Sequence, residues 1–257
     1  MSNNKNQWGT GQLPFSSHPT TTVFWCHSDY KENFNKNPNK KQWENVDISY
    51  QFNSQGFRTY DLPSLVGQKV DIALGCSLTL GIGLPVEVIW PTLIEKESKF
   101  PMLNLGQGGG SSDTVARILT NVCSLYDIQN VYILWPDASR FEIYNNDFNL
   151  KADPLVFFMH AQVAEIEHTG HMDTEMSIQR FYKNQSIVHT LAKLYNFKVS
   201  EHFYAIGREF QKLLNIPLSL YYLGLSHLEH NKSRARDGQH PGPKQHQLIA
   251  RNFINEQ

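Results

Sequence analysis

Gly75-Cys76-Ser77-Leu78-Thr79 holds a serine where chemistry is easily built. The short apolar run Val70-Asp71-Ile72-Ala73-Leu74 precedes it, so the pattern predicts a serine at the turn from a strand into a helix. Gly75 permits a tight turn that exposes the hydroxyl. Free N–H groups at the following helix start would face a developing oxyanion. A serine hydroxyl attacks only after a base has taken its proton. Histidine does this near neutral pH, with a carboxylate holding its tautomer. Arg236-Asp237-Gly238-Gln239-His240-Pro241-Gly242 offers such a pair in a Gly- and Pro-rich loop. The competing reading makes Asp237 and His240 turn formers before the last helix, and the Gly-x-Ser turn a mere connection.

A third segment is Asn104-Leu105-Gly106-Gln107-Gly108-Gly109-Gly110-Ser111. Its glycines let backbone amides approach a ligand closely. A phosphate cradle is one use of such a loop. No Lys-Ser or Lys-Thr follows, however, and the spacing misses GxGxxG. An oxyanion donor is the better reading, with a flexible turn as its alternative.

In this order, the three segments resemble the SGNH/GDSL hydrolase family. The family's Gly-Asp-Ser-x-Thr block stands here as Gly75-Cys76-Ser77-Leu78-Thr79, with Cys for Asp. Asn104 and Gly109 fit the second block, and Asp237, His240 and Pro241 fit the closing Asp-x-x-His-Pro. Asn53-Ser54-Gln55-Gly56-Phe57-Arg58 looks like the lead-in of members that act on carbohydrate esters. The resemblance covers residues 70–257. It implies Ser77 as nucleophile, His240 as general base and Asp237 as its orienting acid. The N–H groups of Ser77 and Gly109 would be oxyanion donors. It also implies a flavodoxin-like three-layer α/β/α sandwich with a five-stranded parallel sheet, the site lying at the strands' C-terminal ends.

The third block departs from the family. Its Asn normally donates to the oxyanion, whereas this chain reads Leu134-Trp135-Pro136-Asp137-Ala138-Ser139-Arg140. An ionised Asp137 accepts only and would repel an oxyanion, and one lost donor costs roughly 3–4 kcal/mol. Asp137 could be held protonated, Ser139 or Arg140 could donate instead, or the alignment could be offset. The second is preferred. A further reading is a fold kept for binding with catalysis impaired.

The elements that must position these residues follow from periodicity. Strands are expected at 46–52, 70–74, 102–105 and 130–135, with further candidates at 197–199 and 218–222. Helices are expected over 85–96, from an N-cap at Ser112 to about 126, and over 155–167, 174–195 and 244–253. Strands alternating with helices predict a parallel α/β sheet. Residues 1–69 read as an irregular extension packed on the main body, and 70–257 as the hydrolase-like domain.

Composition narrows the rest. With 257 residues and a net charge of -1, nothing draws the chain to nucleic acid or an anionic membrane. The three cysteines suit reduced, buried thiols. No apolar run reaches the ~18–20 residues of a membrane span, and no apolar h-region follows the polar N-terminus. A cytoplasmic or virion-associated protein is expected. No cofactor is implied. His168 and His171 lack a third ligand, so no metal site is expected. Lys232, Arg234 and Arg236 read as a solvated basic loop, with contact to an acidic sugar or phosphate as the alternative. Trp135, Phe141 and Tyr144 could stack on a sugar, though packing is the commoner use of such rings. The expected partner is a small or glycan-borne acyl ester.

Overall fold

The computed structural model describes residues 20–138, 140–144, 156–159, 174–203 and 233–255. The elements run β1 (Thr21–Val23), α1 (Lys31–Lys36), β2 (Tyr50–Phe52), β3 (Lys69–Gly75), α2 (Ser77–Leu80), α3 (Trp90–Glu95) and β4 (Met102–Asn104). They continue with α4 (Ser112–Val122), β5 (Asp127–Trp135), β6 (Phe141–Tyr144), β7 (Val156–Met159), α5 (Thr174–Tyr195), β8 (Lys198–Phe203) and α6 (Pro243–Asn255).

Strands β4, β3, β5 and β8 form, in that spatial order, a parallel sheet. Counted along the chain this is 2-1-3-4, the flavodoxin-like order. The chain leaves β3 toward β4 on one side and later returns on the other as β5. That reversal opens a crevice beyond the C-terminal ends of β3 and β5. Of the five strands expected, four lie among the described residues. The candidate at 218–222 lies outside them.

Successive strand residues point to opposite faces, and both faces are apolar. Ala73, Tyr132 and Leu134 meet Trp90 and Ile94 of α3 and Ile249, Ala250 and Phe253 of α6. Ile72, Leu74, Val131, Ile133 and Trp135 meet Val115, Ile118 and Leu119 of α4 and Phe181 and Val188 of α5. Each Val, Ile, Leu or Phe among them, fully buried, contributes about 1.5–3 kcal/mol. Two helical layers therefore clamp the sheet, and the ends of β3 and β5 are held where the crevice needs them.

Several local expectations change. Helix α4 is capped one residue earlier, by Ser111, whose hydroxyl accepts from the Thr114 N–H while the Thr114 hydroxyl accepts from the Ser111 N–H. In 85–96, a 3-10 turn at Val86–Val88 precedes α3, with Pro91 in the first helical turn. The helix expected over 155–167 is overturned at its start. Val156–Met159 is a strand, antiparallel to Phe141–Tyr144, and its Val-Phe-Phe-Met run suits a strand better than a helix. The remainder of that helix lies outside the described residues.

The segment before β3 is built into the body. Trp43, Ile48, Tyr50 and Phe52 share a core with Leu80, Ile82, Leu84, Ile89 and Ala235. Asn53 folds the lead-in, its side-chain oxygen accepting from the Gln55 and Phe57 N–H groups. Arg58 then reaches across, donating to the carbonyls of Ser49, Gly81 and Leu84 over the Tyr50 ring. It thereby grips the chain just after Ser77.

Arg236 corrects the picture of a solvated basic loop. Its side chain is 8% exposed and pairs at 2.6 Å with the fully buried Asp29, beneath the Trp25 ring. Asp29 also accepts from the Tyr50 hydroxyl. Removing one partner of a buried pair strands the other charge, which costs about 3–5 kcal/mol. Arg236 would keep its bond to the Phe24 carbonyl, so Asp29→Ala is expected at the lower end, about 3 kcal/mol. Urea unfolding at constant m-value measures it. A change below about 0.5 kcal/mol, the range of ordinary surface substitutions, would contradict this account.

Candidate active site

Strand β3 ends at Gly75, with φ of 152°. A Cβ there would lie 2.6 Å from the Leu134 carbonyl oxygen and 2.2 Å from Thr79 Oγ1. Only glycine fits where the chain swings from the sheet into α2. Cys76 occupies the N-cap of α2 and its side chain makes no capping hydrogen bond, which an Asp at that position could do. Ser77 follows, 8% exposed, with its hydroxyl at the crevice.

Ser77 Oγ lies 2.7 Å from His240 Nε2, across 163 residues of chain. His240 Nδ1 lies 2.6 Å from Asp237 Oδ2. Asp237 is 2% exposed. Its Oδ1 accepts from the backbone N–H groups of Gln239 and His240, both at 3.0 Å. Burial pushes the carboxyl up, but the His240 ring, its charge, its backbone N–H and the Ser28 hydroxyl together outweigh that and bring it to about 2. The acid is therefore an anion throughout the neutral range. With Nδ1 donating to it, Nε2 is left as the acceptor facing Ser77.

The loop that carries this pair is itself held. Asn37 donates to the Ala235 and Arg236 carbonyls, Trp43 donates to the Arg234 carbonyl, and the Arg236 N–H donates to the Gly83 carbonyl. Residues on the N-terminal segment and just after α2 thus fix where Asp237 and His240 stand.

The second-block residues reach the same place. Asn104 donates to the Thr79 carbonyl at 2.9 Å and accepts from the Gly106 N–H, tying the end of β4 to α2. Gly108 and Gly109 border one cleft with Ser77 and His240. The N–H groups of Ser77 and Gly109 make no backbone hydrogen bond among the described residues. A Cβ on Gly108 would meet the His27 ring at 2.3 Å, so that ring can lie on the loop only because residue 108 is glycine.

The cleft has a volume of about 480 Å³ and is further lined by Asp137, Arg140 and Gln239. Asp137 thus borders the cleft without supplying an amide. Arg140 Nε and Nη1 are buried and have no hydrogen-bond partner among the described residues. Ser139 lies outside those residues. Trp135 also borders the cleft, but its ring is 1% exposed, packs edge-on against Phe181 and donates from its indole N–H to Glu201. It is a core ring rather than a stacking platform. Phe141 is likewise buried, under the Arg180 guanidinium. The Tyr144 side chain and the His168–His171 pair lie outside what is described.

Sequence reasoning overlooked one part of the site. His27 and Ser28, from a stretch read only as irregular, line the cleft. The Ser28 hydroxyl donates to Asp237 Oδ2 at 2.7 Å. The one available signal was the clustering of His27, Ser28 and Asp29, three chemically capable residues in a row.

No family model and no curated protein sequence matches the chain. Among solved structures it is similar to a psychrotrophic esterase from Pseudoalteromonas sp., at 16% identity and TM-score 0.47, covering 73% of this chain and 97% of that one. A protein assigned to the G-D-S-L lipolytic family, from Desulfitobacterium hafniense, is similar at 14% identity and TM-score 0.41, covering 73% and 98%. An acetylxylan esterase from Geobacillus stearothermophilus is similar at 16% identity and TM-score 0.31, covering 75% and 94%.

Proposed function

We propose that this chain is a serine esterase of the SGNH/GDSL type that removes small acyl groups, with O-acetyl on carbohydrate as the favoured substrate class. The observation that carries this is the hydrogen-bonded series Ser77–His240–Asp237, assembled at 2.7 and 2.6 Å from the first residue of α2 and a loop far away in sequence. Such a series is what activates a serine hydroxyl.

In this reading His240 Nε2 takes the Ser77 proton as Oγ attacks the ester carbonyl. The oxyanion is met by the Ser77 and Gly109 N–H groups. Asp237 stabilises the imidazolium without accepting its proton. The imidazolium protonates the departing alcohol oxygen, leaving Ser77 acylated. A water molecule then gives one proton to His240 and its hydroxide to the acyl carbon, and as the acyl–Oγ bond breaks the imidazolium returns that proton to Ser77 Oγ and the acid leaves. The carbohydrate preference is supported by the likeness of the Asn53–Arg58 lead-in to that of family members that act on carbohydrate esters.

Incubation with a fluorophosphonate probe tests the reading. A covalent adduct mapped by mass spectrometry to the peptide holding Ser77, absent when His240 is replaced by alanine, is expected. Asp137 favours a second reading, in which the cleft binds without turnover because an acceptor stands where a donor is needed. Failure of the probe to label a folded protein would favour that reading.

A further inference from the structure

We propose that Ser28 is a positioning residue of the acid–base pair, delivered to the site by a tight hairpin of the N-terminal segment. This rests on the triad reading above and extends it by a fourth residue. Cys26 and Asp29 exchange two backbone hydrogen bonds at 2.9 Å, so His27 and Ser28 form a two-residue hairpin tip. His27 takes a left-handed φ of 53°, a conformation that suits such tips and is uncommon outside glycine.

The tip and the residue that follows it are each held by a different contact. The His27 ring lies against Gly108. Asp29 is locked on Arg236, the residue directly before Asp237. The Ser28 carbonyl accepts from the Asn33 side chain at 2.7 Å. With both neighbours anchored, the Ser28 hydroxyl has a fixed direction. It lies 2.7 Å from Asp237 Oδ2 and 3.3 Å from His240 Nδ1.

Asp237 Oδ2 is the oxygen that receives the His240 N–H. Since Oδ1 is occupied by two backbone N–H groups, Ser28 completes the carboxylate's shell and leaves it one orientation. Its donation also withdraws negative charge from Oδ2, so less of that charge reaches the imidazolium. The other charged or titratable groups bordering the cleft near His240 are His27, Cys76, Asp137 and Arg140; His246 of α6 lies near enough to interact electrostatically with His240, and Arg236 precedes Asp237 on the same loop.

The test compares Ser28→Ala and Ser28→Thr with the wild type on p-nitrophenyl acetate across pH, with Ser77→Ala in parallel. The His240 ring is followed by nitrogen-15 NMR on the full chain. Ser28→Ala is expected to lower kcat roughly tenfold at nearly constant KM, the scale of one hydrogen bond to a charged group. The acid limb of the pH profile and the titration midpoint of the ring should both move to higher pH, and Ser28→Thr should restore both. A Ser28→Ala protein with wild-type kcat and an unmoved ring titration overturns the proposal while the triad stands. So does one that merely melts earlier with its titration unchanged. If Ser77→Ala is as active as the wild type, the triad reading itself fails and takes this one with it. Should the wild type show no turnover, the ring titration alone decides, since it needs no substrate.

Discussion

Replacing Ser77 with alanine is expected to lower kcat/KM on p-nitrophenyl acetate by about 10⁴- to 10⁶-fold, with the protein still folded. The upper figure is the loss seen when a triad serine is removed from an efficient hydrolase. The lower figure allows for a site in which Asp137 replaces a third oxyanion donor, such a donor being worth roughly 10²- to 10³-fold. The loss should be non-additive. His240→Ala alone is expected to cost nearly as much, and the double variant little more than either, because the two residues act as one unit. That pattern separates the triad from the bland alternative. Were His240 only a turn former, its loss would weaken the fold and leave the reaction of the surviving molecules unchanged. Ser77→Ala removes one hydrogen bond and should move stability by no more than about 1 kcal/mol, so activity and folding can be read apart. Equal rates for Ser77→Ala and the wild type would end the esterase reading.

The parts of this molecule that were legible in the sequence are those in which local pattern and burial agree. Residues 70–74 are nearly all apolar because β3 is covered on both faces, and parallel central strands carry that signature. Helix α5 was legible to its ends, Thr174–Tyr195, because nothing in it interrupts the helical spacing. The three chemical segments stood out because each pairs a reactive or donor group with glycines that a close turn demands. Gly75 is the clearest case, with no room for a Cβ beside the Leu134 carbonyl.

What stayed hidden was decided by partners distant in sequence. Arg236 reads as a surface charge until Asp29, 207 residues away, is placed against it. Ser28 sits in a segment with no periodicity, and its importance comes from a carboxylate 209 residues later. Trp135 is ambiguous in sequence between a stacking ring and a core ring. Phe181 on one side and Glu201 on the other settle it as core. Val156–Met159 reads as part of a longer helical pattern, since a short apolar run has no period of its own to distinguish strand from helix. The same physics links these cases. A tip, a loop or a single ring is placed by contacts that local sequence does not encode, whereas strands and helices announce the faces they bury.

Asp237→Asn is the sharper test of how the histidine is held. Asp237 Oδ1 accepts from two backbone N–H groups at 3.0 Å. An asparagine must keep its carbonyl oxygen there, since its amide nitrogen would otherwise face two donors. The amide nitrogen then replaces Oδ2, facing His240 Nδ1 and the Ser28 hydroxyl. A donor against Nδ1 forces that nitrogen to accept, and the ring proton moves to Nε2. Nε2 then donates to Ser77 Oγ instead of taking its proton. Shape is preserved and the base is lost, so kcat should fall by about 10⁴-fold. Fluorophosphonate labelling should slow in parallel, because both reactions need the Ser77 proton removed. A loss of less than tenfold would mean that Asp237 does not set the tautomer. Stability supplies an independent check. The Asp237 carboxyl sits at about 2 in the folded protein, below the roughly 3.9 of an unfolded chain. A depressed acid contributes stability that is fully present above pH ~4 and is lost as pH falls toward ~2. Asparagine does not titrate, so the difference in unfolding free energy between wild type and Asp237→Asn should shrink as pH falls from ~4 toward ~2. A difference that does not fall between pH ~4 and pH ~2 would show that the carboxylate gains nothing from its four donors.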